Sequence, residues 1–370
     1  MRTIAPELGH RRAPSANPYR MKIALISTPF VPVPPPGYGG TELVIHELAR
    51  GLAAAGHEVT IFATGDSQAP DLRFLYPAAV WPPDPRVERI HCGWAARTIA
   101  GEGFDVVHGH APATVAFADQ LGAPLVYTIH HDRDDRLTQS YLRCPEAHFV
   151  AISGRQAQLL PELACQVVHH GLDPERHPLG RGEGDYAAFL GRLAPCKGPD
   201  VAIAAACAAH VPIRLAGEVH AVDATPEWRA VIARGLARPG VQHLGQVGGI
   251  RKMQFLGGAR ALLMPVRWEE PFGLVMIEAM LCGTPVIAFP RGAAPEIIDE
   301  GITGFLVESE DEMAAVLARL IDFDRVACRR RAQLRFSSSR MVRDYERVYA
   351  RALTGMGLLA GTAEEASYAE

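Results

Sequence analysis

The sequence predicts an α/β protein built from two doubly wound domains. Short apolar runs typical of buried strands alternate with longer amphipathic runs typical of helices almost to the end of the chain. Such alternation indicates parallel sheets that are covered by helices on both faces. At 370 residues the chain is long for one hydrophobic core and suits two.

The first half of the chain begins with a strand and an amphipathic helix. The helix over 41–55 places Val44, Leu48 and Leu52 on one face at helical spacing, and Gly56 ends it. We predict the strands of this half at 23–27, 57–63, 105–108, 125–129 and 148–152.

A second series of strands follows a linker rich in proline and glycine. We predict these strands at 186–191, 213–217, 242–245, 261–264, 286–289 and 305–307. The linker over 173–185 is predicted to be a hinge. The domains are therefore expected at 21–172 and 186–337, followed by a last helix over 338–354. A ligand cleft is expected between the carboxyl ends of the two sheets.

The two ends of the chain are expected to lie outside the domains. Residues 1–20 contain arginines and prolines without the apolar region of a secretory signal, which predicts a disordered extension. A start at Met21 and, less favoured, a twin-arginine signal are the alternatives. Residues 355–370 are expected to form a tail. The seven cysteines are odd in number and form no Cys-x-x-Cys pair, which favours a reduced, cytoplasmic compartment.

The composition excludes several classes of protein. Hydrophobic residues make up 48% and charged residues 21%, as in ordinary globular chains and unlike disordered ones. A net charge of −4 argues against a general nucleic-acid binder. No apolar stretch reaches the roughly 18 residues that span a bilayer. The arginine-rich stretch over 325–335 is predicted to be a solvated face, with weak peripheral contact to anionic lipid as the alternative.

The segment Glu270-Pro-Phe-Gly-Leu-Val-Met-Ile-Glu278 is the most informative in the chain. Its apolar residues follow a Pro-Phe-Gly turn at helical spacing, which predicts a buried helix. The N–H groups of Phe272, Gly273 and Leu274 then lie at a helix N-terminus, which favours phosphate or sugar oxygens. Glu270 precedes the helix, and Glu278 lies about one turn inside it. Two such carboxylates suit a sugar hydroxyl and a ribose diol, so we predict a nucleotide-sugar site.

A second segment, Gly191-Arg192-Leu-Ala-Pro-Cys-Lys197-Gly198, supplies two cations. It follows a predicted strand and precedes an alanine-rich helix, so Arg192 and Lys197 are expected to point into the cleft. Fixed cations suit a diphosphate that gains negative charge as it departs. With a helix N-terminus they would neutralise this leaving group without a metal ion.

Both segments resemble motifs of the retaining glycosyltransferases of the GT-B fold, often called glycosyltransferase family 4. The stretch from Glu270 to Glu278 is similar to the family's Glu-x7-Glu signature, and the stretch around Arg192 and Lys197 to its Gly-Arg…Lys-Gly segment. The resemblance covers about 21–350. It implies two Rossmann-like domains with a cleft between them and a last helix that packs across the hinge. The start of the first helix is also weakly similar to bacterial natural-product transferases of the avilamycin-pathway type.

The resemblance implies further site residues. Gly39 and Gly40 correspond to the Gly-Gly loop near the donor phosphates. His110, in His108-Gly-His110, corresponds to the histidine that faces the transferred sugar, and His130 is a lesser candidate. His169-His170 stand where the family usually has Pro-Asn, which leaves the hinge contacts open.

We therefore expect transfer of a hexose from a nucleotide-diphosphate sugar with retention of anomeric configuration. UDP is favoured over GDP or ADP by family frequency, and no metal or other cofactor is expected. Glu270 is predicted to bind the sugar, with a covalent nucleophile as the alternative role. Glu278 is predicted to bind the ribose. The acceptor is expected to be a sugar, a lipid-linked molecule or a natural product.

Two other functions and one metal site are alternatives. A nucleotide-sugar epimerase or phosphorylase of the same fold would use the same diphosphate groups, and a non-catalytic nucleotide-sugar sensor would bind without reaction. Asp132-Arg-Asp134 spells an Asp-x-Asp pattern that binds divalent metals in other glycosyltransferases. A surface loop after a strand is the favoured interpretation of this stretch.

Overall fold

The protein folds into two α/β units, each built on one parallel sheet. The structure, a computed structural model, describes residues 20–37 and 39–355. The sheets contain seven and six strands, and every pairing between neighbouring strands is parallel. This architecture confirms the predicted fold class. The extension before residue 20 and the tail from residue 356 lie outside the described residues.

The first sheet has the order β3-β2-β1-β4-β5-β6-β7. Strands are added to one side of β1 up to β3, and from β4 onward they are added to its other side. Its strands are β1 (Lys22–Ile26), β2 (Glu58–Ala63), β3 (Leu72–Phe74), β4 (Val106–Gly109), β5 (Leu125–Ile129), β6 (His148–Ala151) and β7 (Gln166–Val167). Its helices are α1 (Gly40–Ala54), α2 (Pro85–Ala100), α3 (Asp135–Tyr141) and α4 (Gly154–Gln158).

The second sheet repeats this pattern with the order β10-β9-β8-β11-β12-β13. Its strands are β8 (Ala187–Leu190), β9 (Ile213–Ala216), β10 (Val241–His243), β11 (Ala261–Met264), β12 (Val286–Ala288) and β13 (Gly304–Leu306). The helices of this half are α5 (Pro199–Ala208), α6 (Pro226–Leu236), α7 (Gly249–Gly258), α8 (Leu274–Leu281), α9 (Ala294–Ile297), α10 (Glu310–Arg319), α11 (Arg325–Phe336) and α12 (Ser338–Gly355).

Every predicted strand is present, with ends that differ by a few residues at most. The prediction missed β3 and β7, the two edge strands of the first sheet. Both are short and no residue in either is fully buried, so neither produces the apolar run by which buried strands are recognised.

The chain crosses between the two units twice at one place. The Leu172 N–H donates to the Phe336 carbonyl at 2.9 Å, and the Ser338 N–H donates to the Leu172 carbonyl at 2.8 Å. After the second crossing α12 packs against the first unit, where Tyr345 and Tyr349 are completely buried in its core. The last helix of the sequence therefore completes the core formed by the first strands.

Four of the five arginines of α11 bind the protein itself, so the predicted solvated face describes Arg330, which is exposed, and is incomplete for the other four. Arg325 donates to the carbonyls of Gly257 and Ala259, and Arg329 to that of Pro174. Two others pair with Asp299; these are Arg331 and Arg335. A guanidinium has five donors and suits carbonyl groups left unpaired at helix and loop ends. These contacts leave the four arginines little capacity for lipid headgroups.

Within the described ranges, no helix combines the length and the apolar character that crossing a bilayer requires.

The close crossing of α1 and α12 gives a first testable prediction. A Cβ on Gly51 would overlap the Val342 side chain. Gly→Ala inside a helix normally stabilises by about 1 kcal/mol, but here we expect Gly51→Ala to lower the free energy of unfolding by about 1–2 kcal/mol because of overpacking. Urea unfolding measures the change. Gly51→Ala combined with Val342→Ala should cost less than the sum of the single changes; a Gly51→Ala protein as stable as the wild type would contradict the packing.

Candidate functional site

Glu270 lies buried just beyond the carboxyl end of β11, held by two donors. Its exposed fraction is 7%. One carboxylate oxygen, Oε2, contacts Lys197 Nζ and accepts a hydrogen bond of 2.9 Å from Trp268 Nε1. The lysine also lies over the Trp268 ring, 4.7 Å from its centroid. Two residues predicted separately for the site, Glu270 and Lys197, are therefore in direct contact, and Trp268 contacts both.

The Pro-Phe-Gly turn presents unpaired backbone donors beside this carboxylate. Gly273 has φ 81°, a left-handed conformation that glycine adopts without strain, and it caps α8. Among the described residues, none accepts a hydrogen bond from the N–H groups of Phe272, Gly273 or Leu274. The Phe272 ring is 2% exposed and anchors the turn in the core. As predicted, the turn is a helix N-terminus with free donors.

Glu278 lies inside α8 and is 5% exposed. Its carboxylate contacts the ammonium group of Lys252 on α7. The site thus contains two lysine–glutamate pairs, one at each carboxylate of the predicted motif. Sequence reasoning missed Lys252, because α7 carries no recognised motif and the lysine is distant from Glu278 in the chain.

Arg192 is placed differently from Lys197. It pairs with Asp223 at 3.1 Å, within the second unit, and both side chains are largely buried. In this structure the two predicted cations therefore have different carboxylate partners, and Lys197 is the one that contacts Glu270.

The predicted Gly-Gly loop opens α1 directly opposite the start of α8. Gly39 caps α1, and a Cβ on Gly40 would lie 3.2 Å from Leu274 Cδ1. Glu42 in the first turn of α1 is 5% exposed and accepts a hydrogen bond of 2.9 Å from the Thr28 hydroxyl. Burial raises the pKa of Glu42, although its backbone hydrogen bond and the Thr28 hydroxyl oppose the shift. The N-termini of α1 and α8 thus approach each other at Gly40 and Leu274.

Imidazole rings cluster at the carboxyl ends of β4 and β5. His110 Nδ1 and His130 Nε2 lie 2.8 Å apart, so one ring donates to the other. His108 is bonded to the Tyr349 and Thr128 hydroxyls at 2.8 and 2.7 Å, and its ring centroid lies 4.1 Å from that of His110. The structure therefore brings together both predicted histidines, His110 and His130. Tyr349 of α12 contacts their neighbour His108 through its hydroxyl group.

Burial keeps these imidazoles neutral. Desolvation, followed by the charge of His131, lowers the pKa of His130 to about 3. Desolvation and then neighbouring imidazoles also lower the pKa of His108 and of His110 well below 6.5. The Nε2 atom of His110 is buried and has no partner within the described residues. A neutral ring with a free nitrogen can donate to or accept from a hydroxyl group, depending on its tautomer.

The two units are joined beside this site by Glu296 of α9. Its carboxylate accepts hydrogen bonds from the N–H groups of Gly154 and Arg155 at 2.9 and 3.1 Å and contacts His169 Nε2 at 3.1 Å. Burial opposes ionisation, but these hydrogen bonds hold the pKa of Glu296 below its usual value. Arg155 also pairs with Glu269 at 2.8 Å. Glu296 of the second unit therefore connects the two units through hydrogen bonds to the first.

The Asp132-Arg-Asp134 stretch contains a helix cap. Asp134 Oδ1 accepts from the N–H groups of Arg136 and Leu137 at 2.9 and 3.0 Å, at the start of α3. In the part of the chain that the structure describes, no three His, Cys, Asp or Glu side chains come together as a ligand set for a metal ion.

Sequence models of two glycosyltransferase families match the chain. The family described as Glycosyl transferases group 1 matches residues 184–322, over the second sheet. The family described as Glycosyltransferase Family 4 matches residues 38–176, over most of the first. The chain belongs to the family-4 glycosyltransferases of the GT-B fold.

Curated relatives of this glycosyltransferase include D-inositol 3-phosphate glycosyltransferases. That of Acidothermus cellulolyticus is 26% identical, over 87% of this chain and 86% of the relative. That of Actinosynnema mirum is 28% identical, over 81% of this chain and 88% of the relative.

Solved structures share the fold. AviGT4, a glycosyltransferase involved in avilamycin A biosynthesis, is 26% identical with a TM-score of 0.71, covering 90% of this chain and 98% of its own. Anabaena HepE, solved in complex with UDP and glucose, is 18% identical with a TM-score of 0.72, covering 90% of this chain and 100% of its own.

The neutral histidines of this glycosyltransferase make its stability depend on pH. An imidazole whose pKa is lowered in the folded state stays neutral while the unfolded chain binds a proton below about pH 6.5, so the free energy of unfolding decreases as the pH falls. For one imidazole the loss at pH 5.5 is about 1.4 kcal/mol. We expect His130→Asn to remove about this much of the difference between pH 7.5 and pH 5.5, measured by urea unfolding. Equal pH dependence in the variant and the wild type would contradict a neutral His130.

Proposed function

We propose that this glycosyltransferase transfers a hexose from a UDP-sugar to an acceptor hydroxyl group, with retention and without a metal ion. The observation that carries the proposal is the contact of buried Glu270 with Lys197 and Trp268, beside a helix N-terminus with free donors. That arrangement places a carboxylate, a cation and backbone N–H groups where a sugar diphosphate needs all three.

The diphosphate would lie against the turn and the cations. The N–H groups of Phe272, Gly273 and Leu274 point their positive ends at it, and the dipole of α8 adds to their effect. Lys197 would exchange part of its contact with Glu270 for a phosphate oxygen, and Arg192 would do the same from Asp223. These groups neutralise the charge that develops on the leaving diphosphate, so we propose that no metal ion is required.

The carboxylate of Glu278 would bind the ribose. Two vicinal hydroxyl groups can both donate to one carboxylate, and a buried carboxylate without hydroxyl partners would be left with only Lys252. Lys252 holds Glu278 in place before the nucleotide arrives. We therefore add Lys252 to the residues proposed for donor binding.

The hexose would lie between Glu270 and His110. The free Nε2 of His110 can hydrogen-bond a sugar hydroxyl. Glu270 Oε2 already accepts from Lys197 and Trp268, and such bonds reduce the nucleophilicity of a carboxylate. We therefore favour attack by the acceptor on the face that the diphosphate leaves, with its oxygens taking the acceptor proton. A glycosyl–Glu270 intermediate is the alternative.

The partners and the location complete the proposal. Family frequency favours UDP as the nucleotide. The relatives named above act, by their names, on inositol 3-phosphate or in avilamycin A biosynthesis, and we propose for this chain a hydroxylated acceptor, as a sugar, a lipid-linked molecule or a natural product. The free cysteines, three of them buried and four partly buried, fit a cytoplasmic location.

Nucleotide binding is the first test of the proposal. A ligand that binds only the folded protein, at about 100 times its Kd, adds about 2.7 kcal/mol to the free energy of unfolding. We expect thermal unfolding in excess EDTA to show this shift with UDP and smaller shifts with GDP and ADP. A shift that requires a divalent metal would contradict the metal-free site, and a larger shift with GDP or ADP would contradict the choice of UDP.

Substitution of Glu270 tests the catalytic assignment. We expect Glu270→Gln to lower the rate of hexose transfer by about 100-fold, since the negative charge beside the reacting sugar is lost. UDP affinity, measured by calorimetry, should change by less than about threefold, because the turn and Glu278 remain. Glu227→Gln, on the exposed side of α6, is the matched control. Full transfer activity in Glu270→Gln would refute the role of this carboxylate; conversion of UDP-hexose without an acceptor would indicate an epimerase.

A further inference from the structure

His170 is a buried imidazole to which neither the sequence motifs nor the proposed mechanism gives a role. It is 3% exposed, and its Nδ1 has no hydrogen-bond partner within the described residues. A buried polar atom without a partner costs roughly 1–3 kcal/mol. The apolar ring contacts of this position would be satisfied equally well by a phenylalanine. Stability alone therefore does not explain an imidazole here.

The position of His170 is fixed from several sides. Its ring stacks on that of His130, with centroids 5.3 Å apart and planes at 19°. Its other contact is the Phe272 ring of the turn, at 4.9 Å in an edge-to-face arrangement. Arg340 of α12 donates to its backbone carbonyl at 2.8 Å. The ring thus stands where the histidines of the first unit meet the donor-binding turn of the second.

Two free nitrogen atoms belong to this cluster of imidazoles. His110 Nε2 and His170 Nδ1 are both buried and unpartnered, and His130 lies between the two rings. Burial and then the charges of His130, Arg340 and His169, in that order, lower the pKa of His170 well below 6.5, so the ring is neutral. His170 contacts the Phe272 ring, which belongs to the turn whose N–H groups we propose to bind the sugar diphosphate.

We propose that His170 is a third sugar-binding imidazole, whose Nδ1 forms a hydrogen bond with a hydroxyl group of the hexose carried by the donor. A neutral imidazole offers one donor and one acceptor, and a hydroxyl group can serve either. The ligand would supply the partner that the protein does not. This inference rests on the proposed UDP-hexose donor and adds to it a residue that distinguishes the sugar from the nucleotide.

The test compares the affinities for UDP and for a UDP-hexose in His170→Phe. This variant keeps an aromatic ring against His130 and Phe272 and removes both nitrogen atoms. The probe is whichever of UDP-glucose, UDP-galactose and UDP-N-acetylglucosamine the wild type binds most tightly by calorimetry. We expect His170→Phe to weaken binding of that probe about 3- to 10-fold, as for one hydrogen bond, with UDP affinity within twofold of the wild type.

His91→Phe is the matched control. His91 is also fully buried, and within the described residues neither ring nitrogen has a hydrogen-bond partner, but it lies on α2 beside the backbone of Phe62 and Ser27, away from His170. We expect this variant to bind both ligands like the wild type. A thermal scan of both variants shows whether they fold.

The other outcomes would refute either the role of His170 or the proposed donor. Unchanged UDP-hexose affinity in His170→Phe would refute the inference, and so would equal losses for UDP and UDP-hexose, which would assign His170 to support of the turn. If the wild-type protein bound UDP but none of the three UDP-hexoses, the inference about His170 would also be refuted. Failure of the wild type to bind UDP would instead refute the proposed donor.

Discussion

The arrangement on which this site depends is the meeting of two helix N-termini across the cleft. The first residues of α1 and α8 are in near contact, at Gly40 and Leu274. Both ends carry positive partial charge, so their approach is unfavourable unless negative charge lies near them. Glu42 and Glu270 supply carboxyl groups at these ends. A carboxyl group therefore lies near the start of each of these helices.

The same logic explains why the cations of the site are paired before any ligand is present. Lys197 and Lys252 each contact a buried carboxylate, and Arg192 contacts Asp223. An unpaired buried charge would be costly, whereas a paired one can be held in position. Donor binding then becomes an exchange of partners at fixed cations. The histidines differ from these cations, because burial keeps the imidazoles neutral. A neutral imidazole suits a hydroxyl group as partner.

The sequence was sufficient for much of this fold and for part of the site. Alternating strands and helices predicted both sheets, and the Glu270–Glu278 segment predicted a turn with free N–H groups. Contacts made between distant segments were not predictable from spacing: Lys252 reaches Glu278 from another helix. The contacts of four α11 arginines were not predicted because their acceptors, backbone carbonyls and the Asp299 carboxylate, belong to remote segments of the chain. Trp268 lies just before the Glu270–Glu278 segment, yet an indole gives no sign in the sequence of which carboxylate it will bind.

Helix α12 follows the second unit in the sequence but packs in the core of the first unit. Its tyrosines are buried with β1 and β4, although a complete second unit intervenes in the sequence. Exchange of the second unit between related enzymes would therefore need two splice points, one in the linker after Leu172 and one near Ser337. A chimera joined only at the linker would import a foreign α12 and leave the first unit with a mismatched core. Recombination between related enzymes, natural or engineered, must therefore keep the first unit and α12 from the same parent.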